Sequence, residues 1–109
     1  MKVPRYTINM FAGDTSPDVE LTVTRKDKSI VDLTGASVDF EIQKQGSDDI
    51  INEGHTACYF VDAEAGICRY TWQDTDLPAP GLYDAYVRLE FADGQRETHR
   101  MYIYAAPRT

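Results

Sequence analysis

The segment Pro80-Gly81-Leu82-Tyr83-Asp84-Ala85-Tyr86-Val87-Arg88-Leu89-Glu90-Phe91 constrains the fold more than any other stretch of the chain. A turn dipeptide opens into strict alternation, which sends Tyr83, Ala85, Val87, Leu89 and Phe91 to one side and Asp84, Arg88 and Glu90 to the other. Period-two patterning carried by aromatic and β-branched residues specifies a strand with one wet face, because successive side chains of extended backbone point in opposite directions. The pattern recurs along the chain. Arg5 to Phe11 reads as a first strand and Asp18 to Arg25 as a second, with Val19, Leu21 and Val23 set against Glu20, Thr22 and Thr24. Ala36 to Lys44 follows with Val38, Phe40 and Ile42 inward. Short strands are expected at Ile50-Ile51 and Ala57 to Val61, and longer ones at Gly66 to Gln73, Gly81 to Phe91 and Gln95 to Ala105. The last two are joined through the hairpin signal Asp93-Gly94.

No window carries apolar residues at helical spacing behind a capping residue. Turns arrive every eight to twelve residues or so, which suits antiparallel sheets with hairpin and Greek-key connections. The expected fold is therefore all-β, an immunoglobulin-like antiparallel β-sandwich of about seven to eight strands. Residues 1–109 are read as a single domain, long enough to bury roughly 60–70% of its unfolded surface without a metal or disulfide. The Gly81-x-Tyr83-x-Ala85 start of the long strand fits the corner at which such a sandwich passes the chain from one sheet to the other.

Charge narrows the function. Eighteen acidic residues against eleven basic ones give a formal charge of −7, which repels nucleic-acid phosphates and anionic membranes, so neither is expected as a partner. Apolar runs are too short for a transmembrane helix or a signal peptide. Cys58 and Cys68 fall in phase with Phe60 on one strand and with Tyr70 and Trp72 on the next, and are read as small buried apolar residues rather than a bridge.

Chemistry is not written into any motif. Asp14, Asp18, Asp48, Asp49, Asp74, Asp76 and Asp93 sit in or beside expected loops, with Asp74-Thr75-Asp76 the best candidate for calcium. None has the spacing of a calcium loop, and aspartate is common in turns because its carboxylate bonds the local backbone. His55 and His99 are read as exposed polar positions, His99 on the side of Met101 and Ile103, and they lack zinc-site spacing with the cysteines. No Gly-x-Ser-x-Gly elbow and no phosphate loop occurs. The expectation is a non-enzyme with no catalytic, metal or cofactor residues.

Alternation places Tyr86, Tyr102 and Tyr104 on outer surfaces with Arg88 and Arg100, and these five are the expected partner-binding residues. Tyrosine offers apolar area and a hydroxyl at small entropic cost, which suits a protein interface or sugar stacking. The interface reading is preferred because sugar platforms generally add exposed tryptophan, whereas Trp72 alternates inward with Tyr70.

Three stretches carry a resemblance. Ser29-Ile30-Val31-Asp32-Leu33-Thr34-Gly35-Ala36, running into the strand Ser37 to Ile42, resembles a segment of immunoglobulin-like domains in phage baseplate and tail proteins. Gly66-Ile67-Cys68-Arg69-Tyr70-Thr71-Trp72-Gln73-Asp74-Thr75-Asp76 is similar to their Tyr-x-Trp strand, and Gly81 to Tyr86 to their Gly-x-Tyr-x-Ala corner. Over residues 15–105 the chain looks like the N-terminal domain of baseplate upper proteins of tailed phages. The resemblance implies a virion structural protein, an adaptor or assembly module of the tail or baseplate, assembled in the host cytoplasm and bound to other virion subunits and to copies of itself. A capsid decoration or head–tail protein, a carbohydrate-binding module and a cell-surface immunoglobulin-like module are the alternatives. Binding is expected through a sheet surface or an edge at the first or last strand.

Overall fold

A computed structural model describes residues 7–16, 18–24, 27 and 29–107. Seven strands follow one another: β1 (Thr7–Phe11), β2 (Val19–Thr22), β3 (Ser37–Lys44), β4 (Tyr59–Asp62), β5 (Ile67–Tyr70), β6 (Gly81–Glu90) and β7 (Arg96–Ala106). They form a four-stranded sheet in the order β1-β7-β6-β3 and a three-stranded sheet in the order β2-β5-β4. Placing β3, β6 and β7 in one sheet and β2, β5 and β4 in the other is the partition of an immunoglobulin-like sandwich. The first strand joins the larger sheet, running parallel to β7. The expected start of the first strand at Arg5 and end of the second at Arg25 lie outside the described residues.

Alternation explains the layers. Val38, Phe40 and Ile42 of β3, Tyr83, Ala85, Val87 and Leu89 of β6, and Ile103 and Ala105 of β7 all turn inward and are buried. They meet Val19 and Leu21 of β2 and Cys68 and Tyr70 of β5 in one apolar core. Phe40 reaches across the sheets to Tyr70, with ring centroids 4.8 Å apart, and Trp72 stands edge-on to both rings. Such aromatic pairs add about 0.5–1.5 kcal/mol each beyond the area they bury. At the start of β6 the Tyr83 hydroxyl donates to the Ala79 carbonyl at 2.5 Å and accepts from the Ala79 N–H at 3.2 Å, fixing the corner where the chain changes sheets.

Gly66 closes the turn before β5 with φ +73°, and a Cβ there would lie 2.7 Å from the Val31 carbonyl oxygen and 2.9 Å from that of Val23. Only glycine tolerates both the conformation and the approach.

Several expectations need correction. The anticipated strand at Ile50-Ile51 is a single bridge, Gln43 to Ile50, after which the chain turns. Residues 50–58 instead cover the edge of β3: Ile51 N–H bonds the Ile42 carbonyl, Phe40 N–H the Thr56 carbonyl, and Cys58 N–H the Val38 carbonyl. Phe60 is not an inward residue, because β4 is a short edge strand with a register shift after it, and all four of its residues are exposed. The last strand offers no free edge either, since β7 lies between β1 and β6. His55 and His99 are half-buried rather than exposed: His55 stands against the Tyr70 ring with Nε2 3.2 Å from the Thr71 carbonyl, while His99 is on the inner side of β7 opposite Val87.

Candidate interaction surface

The outer face of the four-stranded sheet is built from residues the core does not use. In the β6–β7 register Asp84 lies opposite Tyr102, Tyr86 opposite Arg100, and Arg88 opposite Thr98. On the other flank of β6, Tyr86 faces Glu41 and Arg88 faces Asp39 of β3. Cross-strand neighbours on one face stand close enough for long side chains to interact directly and diagonally. Arg88 Nε accordingly donates to Glu41 Oε1 at 2.6 Å, and Arg100 donates to Asp84 Oδ1 at 3.0 Å.

Both guanidinium groups also lie over tyrosine rings. Arg88 is 5.4 Å from the Tyr86 ring centre, and Arg100 is 5.9 Å from Tyr86 and 5.0 Å from Tyr102. The result is a continuous row, Glu41, Arg88, Tyr86, Arg100, Tyr102, in which each cation is shared between a carboxylate and aromatic faces. The hydrogen bond that Arg100 donates to the largely buried Asp84, followed by the charge of that carboxylate, raises the Arg100 pKa above the ordinary arginine value.

One end of this face is apolar. Tyr104 is 41% exposed opposite Leu82, which is 45% exposed, and Phe11 of the neighbouring β1 is 52% exposed. All five residues expected from the sequence therefore share one face, with Tyr104 at its apolar end. Leu82 and Phe11 were not among the expected residues, although the alternation that turns Tyr83 and Met10 inward turns both of them outward. The other end of the face holds a shallow polar depression of about 260 Å³ beside Ser37, Asp39, Arg88, Arg96 and Thr98.

Three of the seven aspartates read as possible calcium ligands hold hydrogen bonds within the fold. Asp76 is buried and accepts through Oδ2 from the Tyr70 hydroxyl at 2.6 Å and from the Gln73 N–H at 2.9 Å. Asp18 accepts from the Tyr59 hydroxyl at 2.7 Å, and Asp93 from the Gln95 N–H in the last hairpin at 3.0 Å. Among the described residues no three histidine, cysteine or acidic side chains converge as metal ligands.

Sequence reasoning missed Asn52, which is buried against the edge of β3. Its Oδ1 accepts from Ile42 N–H at 2.9 Å, and its Nδ2 donates to the Phe40 carbonyl at 2.7 Å and to the Tyr70 hydroxyl at 2.9 Å. Asn52 thereby imitates a neighbouring strand. Its place between Ile51 and Glu53 gives no periodic signal for that role.

A search of curated proteins finds no match. A family model, the BppU N-terminal domain, matches residues 4–105, nearly the whole chain and all seven strands. The chain therefore belongs to the family of baseplate upper protein N-terminal domains, a family of phage baseplate structural proteins.

Proposed function

We propose that this protein is a non-enzymatic adaptor of the phage baseplate that docks on neighbouring virion subunits through the outer face of its four-stranded sheet. The observation that carries this reading is the arginine-braced tyrosine row of Tyr86, Arg88, Arg100 and Tyr102 running into exposed Tyr104, Leu82 and Phe11. Braced aromatics lose little freedom on docking, so most of the area they bury contributes to affinity. Arginine and tyrosine are also the residue types over-represented at energetically dominant interface positions.

The same reading places the protein in the virion, beside other baseplate subunits and symmetry-related copies of itself. Assembly in the host cytoplasm accords with two free thiols, since that compartment is reducing. The test replaces Tyr86, Tyr102 and Tyr104 together by alanine and follows incorporation into particles. Loss of incorporation by a variant that still folds cooperatively is expected. Full incorporation of a folded triple variant rejects the docking face, and binding to a glycan panel that depends on these tyrosines moves the assignment to a carbohydrate module.

A further inference from the structure

We propose that the free edge of β4 is a second docking site, which takes an extended basic segment of a partner protein as an added strand of the three-stranded sheet. The site lies on a different sheet from the tyrosine row and does not depend on it.

β4 closes one side of the order β2-β5-β4, so only its flank toward β5 is paired. Among the described residues the backbone of 59–62 makes no hydrogen bond elsewhere. An edge strand in that state presents a row of N–H and C=O groups to any chain that lies extended beside it. The adjoining edge of the other sheet is closed, because residues 50–58 already bond to β3. Side chains make the β4 edge attractive as well. Tyr59, Phe60 and Val61 are exposed in succession, whereas β2, at the other side of the sheet, alternates buried Val19 and Leu21 with exposed Glu20 and Thr22.

Charge selects the occupant. From Gln45 to Cys68 the chain has no lysine or arginine and carries Asp48, Asp49, Glu53, Asp62 and Glu64. All five acids are exposed, and none is in an ion pair with a described residue. The stretch runs along the edge of β3 and then forms β4 and the turn after it, so this margin of the sandwich is acidic. A second copy would bring the same charges to the same edge. Like-charge repulsion opposes that pairing, and so does a strand of four residues with a register shift. A segment carrying lysine or arginine meets the opposite charge instead.

Register orders the side chains of that segment. Tyr59 lies opposite Arg69 on the outer face, where its hydroxyl donates to Asp18, and Phe60 lies opposite buried Cys68 on the core side. An added strand continues both faces, because side chains alternate along it. Its inward residues are therefore apolar and cover Phe60. Its outward residues are basic and meet Asp62, which pairs with Ile67, and Glu64 in the turn that follows.

The probe is a short peptide that alternates valine and lysine, titrated into the isolated, isotope-labelled protein and followed by NMR and hydrogen exchange. Saturable binding is expected, with amide shifts confined to β4 and its flanking turns, slower exchange at residues 59–62, and weakening as salt rises. The same peptide with glutamate in place of lysine should not bind. Val61→Pro removes an N–H at the register shift of this edge strand and should abolish binding. Glu53→Lys combined with Glu64→Lys reverses two exposed charges and should weaken binding roughly tenfold in a protein that still folds. The proposal is overturned by absence of binding, by equal binding of the glutamate peptide, or by binding that survives Val61→Pro. Shifts at Tyr86, Arg100 and Tyr102 in place of β4, or a dimer of this chain built through β4, overturn it too.

Discussion

Two polar clusters built from similar residues lie in different settings, one buried beside β5 and the edge of β3, the other on the outer face of β6 and β7. Asn52, Tyr70 and Asp76 lie inside the sandwich, where each hydrogen bond is made to another protein group and water cannot replace it. Tyr86, Arg88, Arg100 and Tyr102 lie outside, tied by comparable numbers of contacts but open to solvent on one side. The inner cluster stabilises because leaving any member unpaired costs about 1–3 kcal/mol of desolvation. Exposed ion pairs contribute only about 0–1 kcal/mol, so the outer row adds little to folding and keeps its aromatic area for a partner. The contrast assigns structure to one cluster and docking to the other.

The sharpest way to break the contrast is Asn52→Ala. It strips partners from Ile42, Phe40 and Tyr70 at once and should cost about 3–5 kcal/mol in urea unfolding. A loss below about 1 kcal/mol removes the structural assignment of the inner cluster.

Tyr70→Phe keeps the ring stacked on Phe40 and removes only the hydroxyl bonded to Asp76 and Asn52, at a cost of about 1–3 kcal/mol. Burial, and then the bond to Asp76, hold the Tyr70 phenol above its ordinary value of 10.0. A phenol that is harder to ionise in the folded state contributes stability in full below that value and loses it as pH rises through the folded pKa. Wild-type stability should therefore fall above pH 10.0, and the Tyr70→Phe variant should lose part of that alkaline slope. Equal slopes would remove Tyr70 from the alkaline transition.

On the outer face, the combined Tyr86, Tyr102 and Tyr104 alanine variant should lose no more than about 1–2 kcal/mol, the cost of cation–π and cross-strand contacts at exposed sites. A larger loss, equal to that of Asn52→Ala, would make the outer row a structural element too.

The smallest expected effect belongs to an exposed turn, where Asp32 accepts from both the N–H and the hydroxyl of Thr34. These bonds lower the Asp32 pKa from 3.8, first through the hydroxyl and then through the N–H. The stability they give is present above pH 3.8 and is lost as pH falls through the lowered value. Asp32→Asn should flatten the acid limb of a stability profile slightly, and a steeper limb contradicts this account.

Much of the fold was legible because burial and period two leave the same mark. Tyr83, Ala85, Val87 and Leu89 are inward in sequence and in structure, and so are Val38, Phe40 and Ile42. Sheet order was not legible, since alternation tells which side of a strand is wet and nothing about its lateral neighbours. The placing of β7 between β1 and β6 is a long-range choice of that kind. The five outer residues could be listed from alternation alone, while Leu82 and Phe11 were passed over beside more conspicuous neighbours. Asn52 and Asp76 were hidden for another reason. A polar residue in a loop reads as solvated, and only the folded backbone shows that Phe40, Ile42 and Tyr70 need those side chains as partners.

Cryo-microscopy of purified particles tests the docking account most directly, by locating this chain and the surfaces it buries. The account predicts symmetry-related copies with Tyr86, Arg100, Tyr102 and Tyr104 covered by a neighbouring subunit. Copies that leave this face open to solvent and attach through the three-stranded sheet, or particles without the chain, would contradict it.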